Sequence, residues 1–157
     1  MRFDTMPLPP HRHMPGRNAR PDEAFFGAVK AATPAETTSD GSAGNQAWRY
    51  GIRLFNAGFY WEAHEVLEPV WANAAPNSRE RHLVQAVIHL ANGMLKREMG
   101  AHNARRRIAE LCRKAFAEAF PAGSGRLMGL DGEAALRAAA DLVEDRAEIR
   151  LAAYDEI

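Results

Sequence analysis

The chain has 157 residues, a hydrophobic content of 46% and 20 basic against 20 acidic side chains. Its zero net charge provides no long-range attraction to nucleic acid or to an anionic membrane, so partners of these two kinds are not expected. A single cysteine, no secretory signal and no run of about 20 apolar residues together predict a cytoplasmic protein.

Residues 1–46 are predicted to form a proline-rich N-terminal arm, because they hold six of the nine prolines. Proline removes a backbone donor and restricts the residue before it, which favours extended and turning backbone. Within the arm, Pro21 and Asp22 are typical of a helix start, and Phe26 and Val29 would form the apolar side of that helix. The arm should therefore contain one short helix and otherwise coil.

Residues 47–157 are predicted to form an all-helical domain, because their apolar residues recur at helical spacing and never alternate with period two. Five core helices are expected. The first spans about 46–57, the second about 60–74, and the third runs from Asn77 or Ser78 to Met99. A fourth carries the apolar residues between 104 and 119, and a last one follows Asp131. The fold class is thus an all-α bundle of antiparallel neighbours joined by short turns. The first two core helices loosely match a tetratricopeptide hairpin, but no second copy follows, so a repeat array is not expected.

The apolar stripes of the last two helices predict which faces are buried. On the fourth core helix the expected buried stripe is Ala104, Ile108, Leu111, Ala115 and Ala119. On the last helix, which Asp131 can cap, the expected stripe is Leu136, Ala140, Val143 and Ala147. The run 105–107 consists of arginines balanced by nearby acidic residues, so it is predicted to be a solvated face.

The second core helix carries a polar and aromatic row, whose members at three- and four-residue spacing are Trp61, His64, Glu68 and Trp71. This row lies beside the core stripe, so His64 and Trp71 should be partly buried. A carboxylate four residues after His64 could orient the imidazole or raise its pKa. The alternative is that Glu68 only satisfies the hydrogen bonding of a half-buried histidine.

The order His64-Glu65-x-x-Glu68 also resembles a zinc motif in which a second histidine would stand at position 68. A carboxylate can replace that histidine, and His89 is the candidate third ligand. A divalent metal bound by His64, Glu68 and His89 is therefore one hypothesis, and it would permit a metal-dependent hydrolase with an open coordination position.

The third core helix has a narrow polar seam, whose residues are His82, Gln85, His89, Asn92 and Lys96. Imidazoles and amides stand here where a solvated stripe would normally carry Glu, Lys and Arg. If the second and third core helices are antiparallel neighbours, Gln85 and His89 would meet His64 and Glu68. This arrangement predicts a polar pocket between the two helices, and an ordinary solvated stripe is the alternative.

Residues 55–71 carry the motif Phe-Asn-x-Gly-x-(aromatic)-x-x-Ala-His-Glu-x-x-Glu-x-x-Trp, which resembles the signature of the helical family called domain of unknown function 309. Residues 85–92 are similar to a Gln-led, Ala-rich segment of that family. The arm is also similar to that of some bacterial members, although Arg20 stands where those often have histidine. The resemblance implies a helical fold without specifying an activity, and it marks Asn56, Gly58, His64, Glu65, Glu68, Trp71 and Gln85.

Three functions are compatible with these features. In the leading hypothesis a small cytosolic helical protein binds a small ligand or metal in the His/Glu pocket, with candidate residues Asn56, Trp61, His64, Glu65, Glu68, Trp71, Gln85 and His89. In the second, the protein is a structural or protein-interaction module in which the His/Glu cluster is a buried tie between elements, including the arm. The third is the hydrolase. Enzymatic activity and homo-oligomer formation stay open.

Overall fold

A computed structural model describes residues 6–151 of the chain. Its helices are α1 (Glu23–Ala31), α2 (Gln46–Asn56), α3 (Tyr60–Ala72), α4 (Arg79–Glu98), α5 (His102–Ala119) and α6 (Gly132–Val143). A short 3-10 helix, Ser42–Gly44, precedes α2, and the strands β1 (Arg126–Leu127) and β2 (Leu130–Asp131) form an antiparallel hairpin before α6. The predicted all-α class is confirmed. Within the described range, no helix is long and apolar enough to cross a bilayer.

Local capping explains where the core helices begin and end. The side chains of Asn45, Ser78 and Asp131 each accept a hydrogen bond from a backbone N–H in the first turn of α2, α4 and α6. After α2 and α4 the chain turns through Gly58 and Gly100, whose φ angles of 86° and 74° suit glycine. These signals lie within a few residues of each helix end, which is why the sequence predicts the elements well.

Helix α4 is central, because α3 packs on one side of it and α5 on the other, while α2 lies against α3 and α6 against α5. Two close approaches require glycine. A Cβ at Gly51 of α2 would lie 2.4 Å from Leu67 of α3, and a Cβ at Gly93 of α4 would lie 2.4 Å from Leu142 of α6. Both leucines are fully buried, so the glycines let neighbouring helices close the core.

The predicted buried stripes of α5 and α6 are partly wrong. Leu111 is 48% exposed and Val143 is 39% exposed, and both Ala140 and Ala147 are exposed. The side chains buried instead are Arg105, Ala109, Cys112 and Phe116 on α5 and Ala135, Ala138, Ala139 and Leu142 on α6. Alanine-rich helices offer apolar surface on more than one side, and the side that is buried is the one that places Leu142 over Gly93.

The predicted solvated arginine run is wrong for Arg105, which is only 4% exposed. Its Nη1 donates to the carbonyl oxygen of Leu142 at 2.6 Å and to that of Val143 at 3.3 Å. Its Nε lies 3.3 Å from Oδ1 of Asp145. Arg105 therefore satisfies carbonyls at the C-terminal end of α6, where helical carbonyls have no intrahelical partner.

Candidate functional site

The polar row on α3 includes a surface ion pair. Nε2 of His64 lies 3.3 Å from Oε1 of Glu68, one helical turn away. The side chain of His64 is 28% exposed, and that of Glu68 is 58% exposed. The imidazole is thus half-buried, as predicted, but its carboxylate partner faces solvent. A pair with one solvated partner can orient the imidazole without being a buried tie.

The seam on α4 consists of five side chains that are all half-buried, namely His82, Gln85, His89, Asn92 and Lys96. Within residues 6–151, these side chains form no hydrogen bond and no ion pair. Their donors and acceptors are therefore available to solvent or to a ligand. The rest of α4 is largely buried core, so the seam is a polar line along an otherwise apolar helix.

His64 of α3 and His89 of α4 interact electrostatically. Burial lowers the pKa of His89 below its ordinary value, and a positive charge on His64 lowers this pKa further. The second effect is a charge–charge interaction between side chains of α3 and α4, two helices that pack against each other. His89 is consequently held as neutral imidazole, which offers one donor nitrogen and one acceptor nitrogen.

Glu65 faces α1, away from the seam. Nζ of Lys30 donates to Oε2 of Glu65 at 3.4 Å, which links α1 to α3. An open groove of about 290 Å³ lies on this side of α3, and Lys30, Glu65, Glu68 and Trp71 contribute to its lining. Glu65 and Glu68 therefore share the lining of this groove, and Glu68 also contacts His64.

Trp71 and Asn56 have structural partners. The guanidinium of Arg81 lies 4.1 Å from the ring centre of Trp71, a cation–π contact between α3 and α4. Nδ2 of Asn56 donates to the carbonyl oxygen of Leu151 at 2.6 Å, and its Oδ1 accepts from the Leu151 N–H at 2.8 Å. Both ends of the Asn56 amide are thus engaged by backbone, so this residue fastens a later segment to the end of α2.

Glu62 was not among the predicted site residues, although it is fully buried. Its Oε2 accepts the backbone N–H of His13 at 2.8 Å, and its Oε1 has no hydrogen-bond partner in the described part of the chain. The ring of His13 packs edge-on against Trp61 at 4.6 Å, so the arm covers Trp61. Glu62 stands four residues before the buried Val66, so helical spacing places both side chains on the core side of α3. A carboxylate on an apolar helix face is the sequence feature that could have identified Glu62 as a candidate.

The pH dependence of stability should depend on Glu62. Burial raises the pKa of Glu62 above 4.5, against the opposing effect of the hydrogen bond from His13. The folded state then holds this proton more tightly than the unfolded state. Stability present below pH 4.5 is therefore lost as the pH rises through the raised pKa. Relative to Glu62→Gln, the wild type should therefore lose stability over this rise.

Denaturant unfolding of both proteins, from about pH 4.5 to 8, measures this difference. The matched control is Glu65→Gln, which changes a half-buried carboxylate on the same helix and should keep the wild-type decline with pH. Parallel pH profiles for the wild type and Glu62→Gln would show that Glu62 does not carry the effect.

The predicted metal ligands do not form a metal-binding group. Across residues 6–151, no three His, Cys, Asp or Glu side chains are placed together so that they could hold a metal ion. His64, Glu68 and His89 thus lack the arrangement that a catalytic zinc needs, which is three protein ligands and an open position.

One comparison with known proteins found a match, to a family model that covers part of the chain. No curated protein and no solved structure matches the chain. A family model does match residues 48–108, which extend from Trp48 in α2 to Ile108 in α5 and include both α3 and α4. In this segment, the chain is similar to the family described as Domain of unknown function (DUF309).

Proposed function

We propose that the protein is a small cytosolic binding protein that holds a small polar ligand on the seam of α4, next to His64. The observation that carries the proposal is the seam itself: five half-buried polar side chains on the central helix have no hydrogen-bonding partner within residues 6–151. Half-buried polar groups gain more from a ligand than fully solvated ones, because the lower local dielectric strengthens their hydrogen bonds.

The side chains of the seam favour a ligand with both donors and acceptors. Gln85 and Asn92 each offer an amide donor and an amide acceptor, and neutral His89 offers one of each. Lys96 adds a positive charge at one end of the seam, which favours a carboxylate or phosphate group at that end of the ligand. His64, oriented by Glu68, would contact the ligand from α3.

Histidine ring signals in NMR spectra of the full chain test this proposal. The probes are the free amino acids, simple dicarboxylates and nucleoside monophosphates, with Zn²⁺ alone as a separate test of the metal hypothesis. One organic class should produce saturable shifts of the His64 and His89 signals but not of the His102 signal, since His102 is exposed on α5.

Two variants make the test decisive. His89→Ala should weaken binding about tenfold or more, as expected for the loss of a buried hydrogen-bonding partner. His102→Ala should leave the affinity unchanged. Failure of every organic class to shift the His64 and His89 signals would contradict the proposal, as would equal affinities of the wild type and His89→Ala.

A further inference from the structure

Residues 12–18 of the arm form a compact turn, here called the hook, which is held together by Asn18. Nδ2 of Asn18 donates to the carbonyl oxygen of Arg12 at 2.8 Å, and its Oδ1 accepts from the N–H of Met14 at 2.9 Å. Oδ1 also lies 3.0 Å from Nδ1 of His13. The N–H of Arg17 donates to the Met14 carbonyl at 2.9 Å. These bonds lie within the hook and brace its turn.

The hook fits a set of residues on the helical core, here called the socket, which consists of Gly58, Trp61, Glu62 and Glu98. The N–H of His13 donates to the buried carboxylate of Glu62 at 2.8 Å. Nη1 of Arg12 donates to the carbonyl oxygen of Gly58 at 3.2 Å and to Oε1 of Glu98 at 3.0 Å. Docking leaves His13 only 5% exposed. The hook thus brings a cation and a backbone donor to two carboxylates, which are complementary partners.

The segment before the hook is bound through its backbone. The hydroxyl of Tyr50 donates to the carbonyl oxygen of Pro7 at 2.9 Å. The guanidinium of Arg53 donates to the carbonyl oxygen of Met6. Both donors belong to α2. Recognition of main-chain atoms by groups on rigid helices is typical of sites that bind extended peptide segments.

We propose that the socket also receives the hook of a second copy of this chain, so that two copies join by exchanging arms. The contacts between the arm and the core all reach α2, α3, α4 or the turn at Gly58, so an arm from another chain can form the same contacts. The bonds within the hook favour its docked shape, which reduces the conformational entropy lost when it binds. Exchange of an identical element is a low-cost route to a dimer.

The chain's own arm competes for the socket at an effective concentration of the order of millimolar. The test therefore uses two full-length variants that cannot dock their own arms. In the first, Arg12→Ala with His13→Pro removes the cation and the N–H of the hook. In the second, Glu62→Leu with Glu98→Gln removes the carboxylates of the socket. Circular dichroism verifies that both variants keep the wild-type helical content.

Sedimentation should find each variant monomeric alone and a one-to-one complex in the mixture, because the intact hook of the second variant fills the intact socket of the first. A mixture that stays monomeric at concentrations up to the millimolar range overturns the proposal. A fluorescent peptide of residues 6–20 gives a second test that needs only the hook variant. It should bind that variant, and a peptide with His13→Pro should bind about tenfold more weakly or worse. Equal binding of the two peptides also overturns the proposal.

Discussion

Trp48→Ala should lower the free energy of unfolding by about 3–5 kcal/mol, the usual cost of truncating a fully buried tryptophan. Trp48 is 0% exposed, and its Nε1 donates to the carbonyl oxygen of Met128 at 3.0 Å. The side chain thus joins α2 to the β1–β2 hairpin, 80 residues later in the chain. Denaturant unfolding followed by circular dichroism measures the loss.

Trp48→Phe separates packing from hydrogen bonding. Phenylalanine keeps most of the apolar contacts but leaves the Met128 carbonyl without its donor, so the loss should be about 1–3 kcal/mol. If Trp48→Ala changed stability by no more than about 0.5 kcal/mol, as surface substitutions do, Trp48 could not occupy the centre of the core.

Arg105→Ala should lower the free energy of unfolding by about 2–4 kcal/mol. The substitution removes the donor to the carbonyls of Leu142 and Val143 and the ionic partner of Asp145. It also removes a buried aliphatic stem that packs between α5 and α6. Asp145 is 41% exposed and can be solvated after the change, so the loss should be smaller than for a fully buried ion pair.

The neighbouring residue provides a matched control. Arg106 carries the same charge on the same helix but is exposed, so Arg106→Ala should change stability by no more than about 0.5 kcal/mol. Arg105→Met, which keeps an apolar stem without the charge, isolates the contribution of packing. Equal losses for Arg105→Ala and Arg106→Ala would contradict the burial of Arg105.

The extent to which the fold could be predicted reflects the range of each interaction. The helix start at Asp131 was predictable, and that of α4 was predictable to within Asn77 or Ser78, because capping acts within one turn. The buried face of α6 was not, because it depends on Leu142 meeting Gly93 of another helix. Arg105 likewise receives its acceptors from residues 37 and 38 positions later, which no local pattern indicates.

In the candidate site too, local features were predictable from the sequence and long-range contacts were not. The seam of α4 and the His64–Glu68 pair follow from helical spacing within one element, and the structure places them as half-buried groups, except for the exposed Glu68. The partners of Asn56 and Glu62 lie 95 and 49 positions away, respectively. For Glu62 the local signal was a carboxylate on an apolar face, whereas nothing near Asn56 indicates its bonds to Leu151.

The central claim is that His64 and His89 face one polar site between α3 and α4. NMR titration of the His89 ring tests it in the wild type, in His64→Gln and in the control His82→Gln, which is changed about 10 Å away along α4. The pKa of His89 should lie below 6.5 in the wild type, rise in His64→Gln and stay unchanged in His82→Gln. A pKa of His89 that does not respond to His64→Gln would contradict the claim.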